Sequence, residues 1–387
     1  MITTPVNTLG AGRRVPALAR IDLGALGKNY LTIIEQLPDA TRVAAVVKSD
    51  AYGHGMVECS RALEKMGVRF LVVSSLLEAR TLREADIGAD VLIIGPVLED
   101  EALRVIDGDF SIAVGSVEEV RFLAHAARMR RKLAKVHLKV DTGMGRFGLL
   151  HLQDDFLVAL EKILNMEGLH IEGVLTHFAE ADNPQSDFTD EQCRRFRLVL
   201  RHLEQHGLHP ECVHAANSGG VFFHNNAAFS LVRPGIGLYG SAPDPAFLPH
   251  CDLAPVMSAT TYVADIRKLP KGYPVSYGRT CITKRPTRTA LLPAGYGDGY
   301  PRALSNRGEV LIRARRAPIL GRVTMNLIVV DITDINDVAI GDPVLLFGRN
   351  TDGALPIEEL AERADTIPYE ILCNYGRSAW RVFEGQE

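Results

Sequence analysis

Lysine at the end of an apolar strand is a candidate nucleophile, and Lys48 closes the run from Val43 to Lys48 before the turn-rich segment SDAYGHG. Desolvation there strips an amine of charge, moves its pKa below about 10.4 and frees a lone pair for Schiff-base formation. Position alone fits a surface lysine capping a strand equally well. Tyr52 and His54, in the same loop, either hold a phosphate or pack. His177 in THFAEAD reads as a core histidine or a working one, and Arg233 in LVRPG, taken alone, as an arginine in a salt bridge at a strand end. GIGLYG, from Gly235 to Gly240, matches G-x-G-x-x-G. A dinucleotide fingerprint must open a helix, and the prolines of the following SAPDPAFLP prevent one. After the last strand of a barrel, such glycines instead offer backbone N–H groups to a phosphate. HExxH, G-x-S-x-G and P-loop patterns do not occur.

The elements that must position these residues are legible in the patterning. From Thr41 to about Gly240, short β-branched runs alternate with amphipathic ones, as in repeated βα units around a parallel sheet. The strand-like runs are Val43 to Lys48, Arg69 to Ser75, Val91 to Ile94, Phe110 to Val114, Ala134 to Val140, Ile171 to His177, Glu211 to Ala215 and Ser230 to Arg233. That number favours an α/β fold closed as a (β/α)8 TIM-like barrel, with its chemistry at the C-terminal ends of the strands. Helical patterns lie between them at Met56 to Met66, Val117 to Arg131 and Glu191 to His206. Beyond the proline-rich connector, Val256 to Leu269, Thr289 to Ala294, Glu309 to Ile319, Arg322 to Ile332 and Pro343 to Phe347 read as strands without intervening helices. They predict a mostly antiparallel β domain ending in a short helix near Ile357 to Ala364. The expected division is a barrel over 16–250 and a second domain over 251–387, with which the N-terminal residues 1–15 are expected to pair. Ala19 to Leu23 reads as an extra strand before the barrel.

At 387 residues, with 43 Lys and Arg against 47 Asp and Glu, the chain is long enough for two cores and has no basic excess of the kind nucleic-acid binding shows. Its basic run, Arg128, Arg130, Arg131 and Lys132, reads as a solvated helix end. Six scattered cysteines, Cys59, Cys193, Cys212, Cys251, Cys281 and Cys373, form no C-x-x-C pair. They read as reduced thiols, with no metal site. Neither a signal peptide nor a membrane span is expected, which points to the cytoplasm.

Taken in order, VVKSDAYGHG, HLKVDTGMGRFG, GVLTHFAEAD, HAANSGG, LVRPGIGLYG, VSYG, AGYGDGYPR and GRVTMN resemble the motifs of the alanine racemases over nearly the whole chain. The resemblance implies a pyridoxal-phosphate-dependent isomerase that interconverts L- and D-alanine and supplies D-alanine for peptidoglycan. It implies that Lys48 carries the cofactor as a Schiff base and serves as one of two bases, the other being Tyr277 of VSYG from the partner subunit of a homodimer. One base per face of Cα gives racemisation. Tyrosine ordinarily ionises near pH 10, and the resemblance places His177 beside Tyr277 and Arg233 beside His177 to favour the phenolate.

Arg233 also matches the arginine that faces the pyridine nitrogen. Always charged, it cannot take the ring proton, so the carbanion stays short-lived and transamination is suppressed. Tyr52, Ser218, Gly235 and Ile236 match phosphate-holding positions, with Asn217 alongside. Arg146 and the backbone of Met325 match contacts to the substrate carboxylate, Tyr296 an entrance tyrosine, and Lys139 a lysine carbamylated in many members. Two positions depart from the family: Asn326 stands where Asp is usual, and Arg377 where some members have a phosphate-contacting tyrosine, with Tyr375 two residues away. Asn326 keeps a broader racemase, for serine or basic amino acids, as an alternative. A decarboxylase needs an acidic ring partner where this chain has Arg233. A non-catalytic pyridoxal-phosphate carrier resembles the barrel half alone, without Tyr277. Neither a nucleic acid nor a membrane is an expected partner.

Overall fold

The structure is a computed structural model describing residues 8–9, 13–151, 155–224, 226–242 and 252–385. Cys251, and residues 1–7 and 10–12 of the N-terminal segment expected to pair with the second domain, lie outside it. Eight parallel strands close into a barrel: β1 (Arg42–Val46), β2 (Phe70–Val73), β3 (Asp90–Ile93), β4 (Ser111–Val114), β5 (Ala134–Asp141), β6 (Leu169–Leu175), β7 (Cys212–His214) and β8 (Leu231–Val232). Each pairs with the next, and β8 returns to β1 through Leu231 beside Arg42. The expected barrel is observed, strand for strand, because β-branched runs buried on both faces carry a strong signal.

Helix starts follow local chemistry. Ser75 and Ser116 cap Leu76–Glu84 and Val117–Arg130 by accepting from Glu78 N and Glu119 N. The same Glu78 accepts from Ser49 N at 2.6 Å and Ser74 N at 2.7 Å, tying the ends of β1 and β2 to a helix start.

The second domain is the expected mostly antiparallel β structure, with one parallel pair, Leu18–Asp22 beside Trp380–Glu384, and the strands arranged differently in detail. Its larger sheet runs in the order Arg315–Pro318, Glu309–Ile312, Pro343–Asn350, Met257–Tyr262, Leu18–Asp22, Trp380–Glu384. A smaller sheet holds Asp265–Leu269, Thr287–Leu292 and Ile328–Asp331. The expected strand from Val256 to Leu269 therefore breaks in two and serves both sheets. Glu309 to Ile319 is a hairpin, with Arg313 and Ala314 at positive φ in its turn. Arg322 to Ile332 is a strand only from Ile328, because 322–327 forms a loop.

The division at residue 16 needs correction. Leu18–Asp22 lies between Met257–Tyr262 and Trp380–Glu384, in the second sheet. Of residues 1–15, expected to pair with the second domain, Thr8–Leu9 and Arg13–Arg14 pair with each other instead. Beyond the expected helix Ile357–Ala364 come a helix, Pro368–Ser378, and the strand Trp380–Glu384, which the patterning did not reveal. One apolar core runs from Leu26 and Ile33 through the barrel to Phe347 and Tyr375.

Candidate active site

Lys48 follows β1 directly and opens a turn of unusual hand. Ser49, Asp50, Ala51 and Tyr52 all have φ between 54 and 56°. Left-handed backbone costs non-glycine residues roughly 1–2 kcal/mol each, so the surroundings must impose it. Ser49 N donates to Glu78, and Met56 N to Asp50 Oδ1 at 2.7 Å. Arg381, from the last strand of the second domain, pairs with Asp50 and also donates to Gly53 O at 3.3 Å. Gly53 lies against helix Pro368–Ser378, where a Cβ would meet Leu372 O at 2.4 Å.

The turn aims Lys48 into a cavity of about 390 Å³ shared with Lys139, Arg146, Phe147, His177 and Arg233. Four of these residues carry cationic groups, and among the described residues no Asp or Glu lines the cavity. It suits an anionic ligand. Burial, reinforced by Arg146, lowers the Lys48 amine below the usual lysine range. Burial and the same arginine hold Lys139 down to about 8, with its Nζ 4.5 Å from the centre of the Phe147 ring. The loop bearing Arg146 is gathered by Asp141, which accepts from Gly143 N, Met144 N and Arg146 N at 2.8–3.0 Å.

Arg233 is buried and brought down to about 9 by that burial. Nη1 donates to His214 Nδ1 at 2.8 Å; Nη2 donates to Thr176 O, Ala215 O and His177 Nδ1 at 2.8–3.1 Å. A guanidinium cannot accept, so His177 carries its proton on Nε2. Burial, then Arg233 and Arg146, hold His177 well below the usual histidine range, as a neutral ring. Gln192 steadies this corner, donating to Thr142 Oγ1 at 3.2 Å and His177 O at 3.1 Å.

Beside the cavity lies a cradle of small polar groups. Ser218 Oγ accepts from Gly235 N at 3.0 Å and Gly237 N at 3.1 Å. Asn217 Oδ1 accepts from Gly220 N at 2.9 Å, and Ile236 is buried. A Cβ on Gly235 would fall 2.3 Å from Tyr52 Oη, so glycine opens the space in front of that hydroxyl. Backbone N–H groups with Ser and Tyr hydroxyls fit a phosphate, and an amine of lowered proton affinity fits an aldehyde: the donor set suits pyridoxal phosphate. His54 takes the packing alternative, buried, stacked on Tyr239 and held to about 4 mainly by burial. GIGLYG forms a single tight turn, Ile236–Tyr239.

The remaining residues stand elsewhere. Tyr277, 72% exposed, sits at the tip of the ribbon Pro274–Val275 and Cys281–Ile282. Tyr296 and Met325 are also exposed, joined by Tyr296 N to Thr324 O and Gly297 N to Met325 O. None of the three lines the Lys48 cavity. Asn326 hydrogen-bonds Asp298. Tyr375 is committed to the core, against Phe347 with its hydroxyl on Leu18 O, while Arg377 is exposed.

The sequence reading missed Glu78, Asp50, Arg381, Gln192, His214 and His137. His137 lies two residues before Lys139 in one strand, so alternation alone puts both on the interior face. Arg381 left no such signal, because its partner lies 331 residues away.

A closed parallel barrel with an electropositive cavity that Lys48 lines, and a cradle of small polar groups, has the class features of a barrel enzyme suited to Schiff-base chemistry. Comparison with known proteins narrows this. The alanine racemase N-terminal domain family matches residues 21–243, and its C-terminal domain family residues 256–383. "Alanine racemase 2" of Caldanaerobacter subterraneus subsp. tengcongensis is 38% identical over 371 residues, 95% of each chain. The alanine racemase structure from Streptomyces lavendulae superposes with TM-score 0.91 at 33% identity, covering 97% of this chain and 98% of that one. One from Bartonella henselae, with covalently bound pyridoxal phosphate, gives 0.86 at 30% identity, covering 96% and 100%. The chain belongs to the alanine racemase family, whose members are pyridoxal-phosphate-dependent isomerases.

Proposed function

We propose that this chain works as a homodimer, each active site taking Lys48 from one subunit and Tyr277 from the other, with pyridoxal phosphate held in the barrel. The carrying observation is Lys48: an amine of lowered proton affinity that shares its cavity with Arg146, His177 and Arg233. Tyr52, Ser218, Gly235 and Ile236, with Asn217 alongside, hold the phosphate, and Arg233 faces the pyridine nitrogen. Bound there, the cofactor acidifies the Cα proton of an amino acid.

The residues then divide the work. Arg146 and the Met325 backbone hold the substrate carboxylate, and Tyr296 stands at the entrance. Lys48 Nζ takes or returns the proton on one face of Cα, and Tyr277 Oη does so on the other. His177 Nε2–H donates to the phenolate oxygen of Tyr277, favouring its charged form. Exposure of Tyr277 and its absence from its own chain's cavity support the shared site. Lys139, near neutrality at about 8, has enough free amine to add carbon dioxide as a carbamate with loss of a proton, and the resulting anion orients Arg146.

The product D-alanine supplies peptidoglycan in the cytoplasm. Unpaired thiols at Cys59, Cys193, Cys212, Cys281 and Cys373 suit a reducing compartment. Among the described residues no helix is long and apolar enough to cross a membrane.

The deciding experiment follows L-alanine to D-alanine by chiral chromatography with and without added pyridoxal phosphate, with L-serine and L-lysine alongside. Fastest turnover of alanine, dependent on cofactor, is expected. Faster turnover of serine or lysine would transfer the assignment to a broader racemase, the alternative that Asn326 keeps open. Cofactor binding without racemisation of any of them would leave a carrier.

A further inference from the structure

The polar groups that meet Arg233 continue through the barrel interior, away from the candidate site. Since a guanidinium cannot accept, His214 Nδ1 must, and the His214 proton sits on Nε2. That nitrogen lies 2.7 Å from His137 Nδ1, which therefore accepts and leaves the His137 proton on Nε2. His137 Nε2 lies 2.9 Å from Glu172 Oε2, and a carboxylate can only accept. Followed from either end, every donor points the same way, from Arg233 to Glu172. Both imidazoles are fully buried and kept neutral, chiefly by that burial. One proton arrangement satisfies all three contacts.

Backbone geometry serves this chain of contacts. Ile171 pairs with Val136 and Gly173 with His137, so Glu172 is the extra residue of a bulge in β6. A bulge re-aims a side chain, and here Glu172 reaches both His137 and Ser111 Oγ, the latter at 2.5 Å. A Cβ on Gly173 would lie 2.3 Å from His137 Nδ1, so only glycine leaves that ring its place. Burial alone would raise the Glu172 carboxyl, but the hydrogen bonds from His137 and Ser111 outweigh it and hold the group down to about 2. His137, His214 and Glu172 do not line the Lys48 cavity.

We propose that Glu172 is a positioning residue for Arg233: through His137 and His214 it fixes the proton order of both rings and holds the guanidinium in one orientation. This rests on the reading that Arg233 faces the cofactor's ring nitrogen. Because the acting group would touch the cofactor and not the substrate carboxylate, disturbance reaches kcat and spares KM.

The test uses full-length protein labelled with 15N-histidine. Long-range proton–nitrogen spectra of the cofactor-free form should show Nε2–H on both His137 and His214 at pH 7. In Glu172→Leu, His137 loses its acceptor and populates Nδ1–H, while kcat falls roughly tenfold to a hundredfold with KM within about twofold. Glu172→Gln keeps an accepting oxygen and should restore both the tautomer and most of kcat. Unchanged tautomers and kcat in Glu172→Leu, or equal losses in the Leu and Gln variants without a tautomer change, would overturn the proposal. If Glu172→Leu does not fold, the wild-type spectrum decides, since Nδ1–H on either ring is incompatible with the chain of contacts. Lack of racemase activity in the wild type would sink the functional reading, whereas the cofactor-free spectra judge the proton order separately.

Discussion

The two proposed bases, Lys48 and Tyr277, have separable signatures. Lys48→Ala removes the amine proposed to hold the cofactor, so the near-visible absorbance of the bound group should vanish; a retained band would refute Lys48 as its carrier. Tyr277→Phe keeps the ring and removes the hydroxyl. It should cripple L-to-D turnover while leaving that absorbance in place, and unchanged rates in both directions would eliminate the hydroxyl as a base. The grouping of Lys48, His177 and Arg233 in one cavity was legible in the sequence, because they sit in motifs with a fixed order. What supports them was not. Glu78 reads as an ordinary helix-capping glutamate until the fold sets it against Ser49 N, and Asp50 as one more turn residue until Arg381 arrives.

Among the elements, the turn after β1 depends on neighbours. Helix Pro368–Ser378 presses on it so closely that a Cβ on Gly376 would fall 2.0 Å from Gly53 O. Gly376→Ala should lower stability by about 1–3 kcal/mol, the usual range for overpacking, measured by denaturant unfolding. Arg381→Leu leaves Asp50 without its cation. Lost support of about 1–2 kcal/mol corresponds to roughly tenfold weaker pyridoxal phosphate binding, and unchanged affinity would show that the turn holds its shape unaided. These are the elements that patterning failed to find. The barrel strands announce themselves as buried apolar runs, whereas Trp380–Glu384 is mostly half-exposed and gains its identity only by pairing with Leu18–Asp22. Long-range pairing leaves no local trace.

For the whole molecule, a shared site makes a prediction about mixtures. In a hybrid of Lys48→Ala and Tyr277→Phe subunits, one site loses both bases and the other keeps both. Random reassembly of the two inactive variants should therefore recover about 25% of wild-type activity. No recovery would place both bases within one chain. Stability should also respond to acid. His54, His177 and His214 are held below the ordinary histidine pKa, mainly by burial. Below about pH 6.5 the unfolded chain binds protons that the folded one refuses, so stability falls as pH drops, for His54 down to about 4. Flat stability from pH 7 to 5 would contradict that burial. The pairing of Trp380–Glu384 with Leu18–Asp22 also sets an order of events during synthesis. A ribosome releases the barrel long before the strand bearing Arg381 emerges, so the nascent chain holds Lys48 in a turn not yet locked. Cofactor capture should then tighten by about tenfold once that strand has paired, so that a chain still short of Arg381 holds pyridoxal phosphate more weakly than the finished fold.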